Sequence, residues 1–280
     1  MKEFRNKVAV VTGAASGMGK AMAERFAAEG MRVVLADVEQ EALATAEREF
    51  RTRGSTVLAV RTDVSKAADV DQLAARTVEA FGTVHVLCNN AGVGTGGLAW
   101  IQRIADWEWT LGVNLWGVIH GIRTFLPIML AHGEEGHVVC TASVAGLISG
   151  PFGIPYNVSK YGVVALCEGL YHELALVQSK IKVSVLCPGF VNTRILESQR
   201  NRPAEMPLLP VSESQMQYAE WMRARVAAGL APSEVGHQVF EAIRDERFYI
   251  VTDPDEWKPL IRERMEDILG DRNPRLFGVS

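Results

Sequence analysis

Short apolar runs of strand length alternate along this chain with longer stretches in which apolar residues recur at helical spacing. Lys7–Thr12 (KVAVVT) is an unbroken, valine-rich run, the pattern of a strand buried on both faces. Gly17–Glu29 follows with Met22 and Phe26 four apart, and Gly30 is placed to stop the helix. The same reading predicts strands at Arg32–Ala36, Thr56–Val60, Val84–Asn89, His137–Ala142, Lys182–Cys187 and Phe248–Val251. Between them it predicts helices at Glu39–Arg51, Lys66–Phe81, about Ile104 to Leu130, and Gly153–Gln178. Strand and helix in regular alternation predict a doubly wound α/β fold: a mainly parallel, seven-stranded sheet with helices on both faces and right-handed crossovers. No repeat or low-complexity segment divides the chain, so residues 1–280 are expected to form one domain. Phe190–Gly229, with Pro203, Pro207 and Pro210 ahead of a Met- and aromatic-rich pattern, is expected to be an insertion lying over a site. Asp253–Asn273 reads as a charged amphipathic helix, with Trp257, Leu260, Ile261, Met265 and Ile268 on one stripe, docking on its own domain or on a neighbour.

Composition narrows the class. With 29 Lys plus Arg against 33 Asp plus Glu the net charge is −4, which argues against a nucleic-acid partner. The purely apolar runs are far shorter than the roughly 20 residues that cross a bilayer, so no membrane partner is expected. MKEFRNKVAV lacks an apolar signal core, and a cytoplasmic location is expected. Cys88, Cys140, Cys167 and Cys187 form no C-x-x-C pair, and His172-Glu173 lacks a second histidine at metal-ligand spacing. Four buried free thiols and no metal are the expectation.

Candidate chemistry clusters at predicted strand ends. The first strand runs into Thr12-Gly13-Ala14-Ala15-Ser16-Gly17-Met18-Gly19, and glycines there let the backbone approach a pyrophosphate at the start of a helix. The spacing is G-x-x-x-G-x-G, so the commoner G-x-G-x-x-G fingerprint is only loosely met, and a ligand-free glycine turn stays open. Asp37 ends the second strand, 24 residues after Gly13. A carboxylate there accepts both hydroxyls of an adenosine ribose. It also repels a 2′-phosphate: two like charges about 4 Å apart cost roughly 4 kcal/mol at an effective dielectric near 20. NAD is therefore expected over NADP; the plain alternative is a carboxylate that caps the next helix. Asp63-Val64 and Asn89-Asn90-Ala91-Gly92 end the next two strands, outlining one crevice, although such residues also simply form turns. Tyr156 and Lys160 lie one helical turn apart, thirteen residues and more after the strand-end Ser143.

With these residues in hand, the chain resembles the classical short-chain dehydrogenase/reductase family, a single Rossmann-type domain. The resemblance rests on TGAASGMG at 12–19, Asp63-Val64, NNAG at 89–92, Asn114, Ser143, Tyr156-Asn157-Val158-Ser159-Lys160, and Pro188-Gly189 with Thr193, and covers about residues 5–195. It implies Tyr156 as acid/base, Lys160 as the cation that lowers the phenol's pKa and holds the nicotinamide ribose, and Ser143 as the group that polarises the reacting oxygen. Asn114 is implied to hold a water that links Lys160 to solvent. The cofactor would lie on Gly13, Ser16, Gly17, Met18, Gly19, Asp37, Asp63, Val64, Asn90, Ala91 and Gly92. Its nicotinamide side would meet Pro188, Gly189, Val191 and Thr193. The reaction implied is NAD-dependent interconversion of a secondary alcohol and a ketone, with assembly as a homotetramer or homodimer.

The substrate wall is expected from Leu98, Trp100, Leu147, Phe152, Phe190, Ile195, Met206, Leu208, Leu209, Met216, Trp221 and Met222, which suggests a bulky, hydrophobic substrate. Arg194, Arg200 and Arg202 are expected to face solvent, with contact to an acidic substrate group as the alternative. Two other functions stay open. A catalytically silent NAD-sensing protein on the same fold would not need Tyr156. An extended-type sugar-nucleotide epimerase or dehydratase would carry a different glycine spacing and a larger C-terminal region.

Overall fold

The structure, a computed structural model, describes residues 1–206 and 212–275. In chain order the elements are β1 (Val8–Thr12), α1 (Gly17–Ala28), β2 (Arg32–Asp37), α2 (Gln40–Thr52), β3 (Val57–Arg61), α3 (Ala67–Phe81) and β4 (Val86–Asn89). There follow α4 (Ile104–Leu111), α5 (Gly117–His132), β5 (Gly136–Thr141), α6 (Ile154–Leu176) and β6 (Ile181–Cys187). The chain continues with α7 (Glu213–Ala227), α8 (Pro232–Asp245), β7 (Tyr249–Val251) and α9 (Pro254–Leu269).

All seven strands pair in parallel, in the order β3-β2-β1-β4-β5-β6-β7. From β1 the chain winds outward through β2 and β3, then returns to place β4 on the other side. The C-terminal ends of β1 and β4 thus open onto the crevice where such sheets bind ligands. Alternate residues of β1 point to opposite faces: Ala9 and Val11 join a core with Met22 and Phe26 of α1 and Val239 and Ile243 of α8. Val8 and Val10 join a second core with Leu73 of α3, Phe125 of α5 and Cys167 of α6. Both faces are covered, which is why the valine run needs no polar alternation.

Helix α8 fills the stretch between Gly229 and Phe248, for which the sequence reading gave no element. Pro232 at its start and Val235, Val239, Phe240 and Ile243 on one face carry the signal that was there to read. Ile104–His132 is one continuous helical stretch, long and apolar enough by composition to cross a membrane. Here it flanks the sheet, burying Phe125 and Met129 in the core. A five-residue π-helical segment, Gly112–Trp116, interrupts it and holds Asn114. All four cysteines are buried and free.

Candidate active site

The glycine turn is built by strand ends that hold one another. The Thr12 hydroxyl accepts the Asn90 and Ala91 amides at 2.9 and 3.1 Å, and the Asn90 side chain donates to the Thr12 carbonyl at 3.0 Å. Thr141 Oγ1 donates to Asn90 Oδ1 at 3.2 Å, so the ends of β1, β4 and β5 are joined through one side chain. Gly13 has φ of +67°, and a Cβ on Gly19 would stand 2.1 Å from the Gly13 carbonyl oxygen. No larger residue fits at 19. Helix α1 begins without a side-chain cap and with no acidic residue in its first turn. Its leading amides therefore face the crevice as donors for an anion, and the cradle fits a dinucleotide pyrophosphate.

Asp37 lies at the rim of this turn. Its Oδ2 accepts the Ala15 amide and its Oδ1 the Glu39 amide, both at 3.0 Å. Burial pushes its pKa up, while the Glu39 and Ala15 amides pull the other way. Asp63 accepts the Ser65 hydroxyl at 2.6 Å and the Ser65 amide at 3.1 Å. Burial raises its pKa, but the bonds from Ser65 and Lys66 outweigh this and hold it below the usual value. Val64 follows on the cavity wall, its carbonyl 3.0 Å from His120 Nδ1.

The proton-transfer side chains gather at the end of β5 and the start of α6. Ser143 caps a short 3₁₀ turn, accepting the Ala145 amide at 3.1 Å and donating to the Pro188 carbonyl at 3.3 Å. Tyr156 hydrogen-bonds Ser143; burial pushes the phenol's pKa up, and that bond opposes the shift. Pro155 in the first turn pre-forms the helix that places Lys160 a turn beyond Tyr156. The Lys160 ammonium donates to the Thr141 carbonyl at 2.8 Å and lies 5.5 Å from the Tyr156 ring centroid. Burial pulls the Lys160 pKa down to about 8, against the influence of Cys187 and Cys140. Asn114 is held on three sides: its Oδ1 accepts the Val93 amide at 2.8 Å, and its Nδ2 donates to the Val93 carbonyl and to Ser159 Oγ.

A cavity of about 1780 Å³ joins the two ends. Every residue assigned above to cofactor or catalysis lines it except Asn114 and Gly19. Gly19 acts beneath the cradle, and Asn114 lies just behind Gly92. Val191 is buried at the wall, and Thr193 lies over the glycine turn, its Cγ2 3.2 Å from where a Gly17 Cβ would be.

The substrate wall differs from the expectation at three positions. Trp100 is 81% exposed, and neither it, Leu98 nor Leu147 lines the cavity; Leu147 packs into the sheet core instead. Phe152, Phe190, Ile195, Met206, Met216, Trp221 and Met222 do line it, whereas Leu208 and Leu209 lie outside the described residues. The sequence reading missed Trp109, Tyr218, Trp257 and Leu260, which also face the cavity. Ring contacts run from Phe152 to Tyr218 to Trp221 to Phe190 to Trp257, with centroids 5.3–5.7 Å apart. Trp257 belongs to α9, which therefore docks on its own domain; a Cβ on Gly189 would overlap its indole nitrogen at 2.1 Å.

All three arginines make ion pairs. Arg194 and Arg200 are exposed, as expected, and pair with Glu39; Arg202 departs from the expectation, its side chain 7% exposed and paired with Asp106. A covering segment made of these residues wins ion pairs that its composition does not reveal. One other group of ligating side chains, His85, His132 and Glu134, comes together among the described residues. There the Val8 amide donates to His85 Nδ1, so Nε2 carries the proton and donates to Glu134, while Lys7 pairs with the same carboxylate. With Nδ1 accepting and Nε2 donating, His85 has no lone pair left to offer an ion.

Known proteins resemble this chain in sequence and fold. The family model described as short chain dehydrogenase matches residues 7–204. A "CLA biosynthesis dehydrogenase/reductase" of Lactiplantibacillus plantarum is 34% identical over 279 residues, covering 98% of this chain and 97% of the relative. A "1-deoxy-11-beta-hydroxypentalenate dehydrogenase" of Streptomyces avermitilis is 33% identical over 272 residues, covering 91% and 92%. A short chain dehydrogenase/reductase from Burkholderia phymatum, solved in complex with NAD, is 47% identical, covers 100% of both chains and superposes with a TM-score of 0.96. The glycine turn, the parallel seven-stranded sheet and the extent of these matches agree: the chain belongs to the classical short-chain dehydrogenase/reductase family of oxidoreductases.

Proposed function

We propose that this protein is an NAD-dependent dehydrogenase/reductase interconverting a bulky, largely apolar secondary alcohol and its ketone. One observation carries the reading: Ser143, Tyr156 and Lys160 share a single cavity with the Gly13–Gly17 turn and Asp37. Bound in that cradle, the cofactor supplies the hydride acceptor or donor. The chain's own work is to move the proton and hold the reacting oxygen.

In reduction the Tyr156 hydroxyl gives its proton to the carbonyl oxygen, and in oxidation the phenolate takes it back. Burial favours the neutral phenol, so oxidation needs a positive field close by. Lys160 supplies it: with a pKa pulled to about 8, its ammonium is still charged near neutral pH. Ser143, fixed by Ala145 and Pro188, orients the same oxygen. Asn114, behind Gly92 and beside Lys160, holds the water through which the ammonium reaches solvent. Proton transfer from a positioned acid contributes about 10²–10⁴ in rate.

The apolar aromatic wall supports a large hydrophobic substrate, and the Streptomyces relative, named for a hydroxylated compound, supports chemistry at CH–OH. Exposed Trp116, Val158, Leu176 and Val177 on the flanking helices support assembly into a homodimer or homotetramer. The reduced, buried cysteines suit the cytoplasm as the working compartment. The 190–229 segment acts as the substrate cover of the one domain. The test is an NAD-linked absorbance screen against steroids, terpenols and aryl carbinols. Turnover of at least one, lost in Tyr156→Phe, supports the reading. Tight NADH binding with no turnover across the panel favours the silent sensor.

A further inference from the structure

Glu39 stands two residues beyond Asp37, at the first position of the turn that leads into α2. Its backbone amide is tied to Asp37, but its side chain turns toward the covering segment. Arg200 Nε donates to Glu39 Oε1 at 2.8 Å, Asn201 Nδ2 donates to the same oxygen at 2.9 Å, and Arg194 lies 3.7 Å from Oε2. Arg200 also donates to the Arg194 carbonyl at 2.9 Å, so the two arginines form one unit. Asp37, Glu39, Arg194 and Arg200 all line the same cavity.

Guanidinium groups are the side chains best suited to bind phosphate, through paired donors in a planar fork. Two of them at the adenosine end would work against Asp37 as a selector, because each would attract the 2′-phosphate that Asp37 repels. With Glu39 present the four side chains balance in charge. Without it they carry one net positive charge beside the ribose.

We propose that Glu39 is a second determinant of dinucleotide choice, acting through Arg194 and Arg200 by engaging the guanidiniums that a 2′-phosphate would otherwise recruit. It is a specificity residue that need not touch the cofactor. The proposal rests on the NAD reading of the cradle.

The test compares NADH and NADPH affinities by fluorescence titration in the parent, Glu39→Gln, Arg194→Met/Arg200→Met and the triple variant, with thermal melts to verify folding. Gln keeps an acceptor for Asn201 and leaves the backbone bond to Asp37 intact. Glu39→Gln is expected to shift the NADPH-to-NADH affinity ratio toward NADPH about tenfold, and the triple variant is expected to lose that shift. An unchanged ratio in Glu39→Gln, with NADH binding intact, overturns the proposal alone. A shift that persists in the triple variant also overturns it, since simple removal of negative charge would then suffice. A parent protein that binds neither dinucleotide overturns the NAD reading and this proposal together.

Discussion

Arg202 and Asp106, 96 residues apart in sequence, form a buried ion pair, with side chains 7% and 2% exposed. The guanidinium also donates to the Met206 carbonyl and to Gln199, and lies 5.4 Å from the Trp109 ring. Asp106 is held by Arg103 as well, and these hydrogen bonds keep its carboxyl below the usual pKa although burial alone would raise it. Ser198 adds a second attachment, its hydroxyl accepting the Gly94 amide at 2.8 Å. The cover over the cavity is thus fastened to α4 and to the loop after β4.

Arg202→Met should therefore loosen the cover and not unfold the protein, because Arg103 still satisfies the Asp106 carboxylate. Loss of a charge-assisted hydrogen bond costs about 1.5–3 kcal/mol. The expected result is a melting temperature several degrees lower and faster limited proteolysis within 190–206. Cleavage at the parental rate would remove the latch role.

Tyr156→Phe keeps the ring and deletes only the hydroxyl that meets Ser143. NADH affinity should stay within a few-fold, while turnover of any substrate found should fall by about 10²–10⁴. Stopped-flow turnover beside an equilibrium NADH titration separates the two effects. Turnover near the parental level would show that the proton comes from elsewhere.

Asp37→Ser should weaken NAD and improve NADP. Since the carboxylate also accepts the Ala15 and Glu39 amides, some loss of stability accompanies the switch, about 1 kcal/mol for each bond. The affinity ratio measured at fixed ionic strength is the readout, and a ratio that does not move would place the selector at another residue.

Two buried bases contribute to the pH dependence of stability. His137 is fully buried on β5, 2.7 Å from Ser184 Oγ, and burial drives its pKa from about 6.5 to about 3. Between those values the unfolded chain binds the extra proton, so the stability of the neutral imidazole is complete above pH 6.5 and is lost as pH falls toward 3. Lys160 follows the same sign in another window: from about pH 8 to its ordinary 10.5 the unfolded chain holds more protons, so stability rises with pH there. Denaturant titrations at pH 4, 7 and 10 test both. His137→Asn should flatten the acid limb, and Lys160→Met should narrow the gain between pH 7 and 10. An acid limb unaltered in His137→Asn would assign it to other groups.

Gly19→Ala is the sharpest test of the cradle. Its methyl would meet the Gly13 carbonyl at 2.1 Å and the Asn90 side chain at 2.6 Å, and Asn90 cannot withdraw without breaking its bond to Thr12, which joins the end of β4 to β1. Dinucleotide binding should drop at least tenfold. Calorimetric titration with NADH measures it, and undiminished affinity would mean the turn is not the pyrophosphate site.

Seven strands in alternation with helices, the Asp37 position at the end of β2, and the one-turn spacing of Tyr156 and Lys160 could all be read from the sequence. Each depends on side chains that are neighbours along the chain, where strand and helix periods of 2 and 3.6 act directly. Helix α8 carries the same kind of local signal in Val235, Val239, Phe240 and Ile243. Other features had no local signature at all. Trp100 and Trp257 are the same residue type, yet one is 81% exposed and the other lies 8% exposed against Gly189. Arg194, Arg200 and Arg202 sit in a polar stretch that reads as solvent-facing, and it was the return of the cover onto Glu39 and Asp106 that gave them partners. Periodicity decides which face of an element is apolar. Which distant charge or ring meets that face depends on how the loops bring segments far apart in sequence into contact, and only the folded chain decides that.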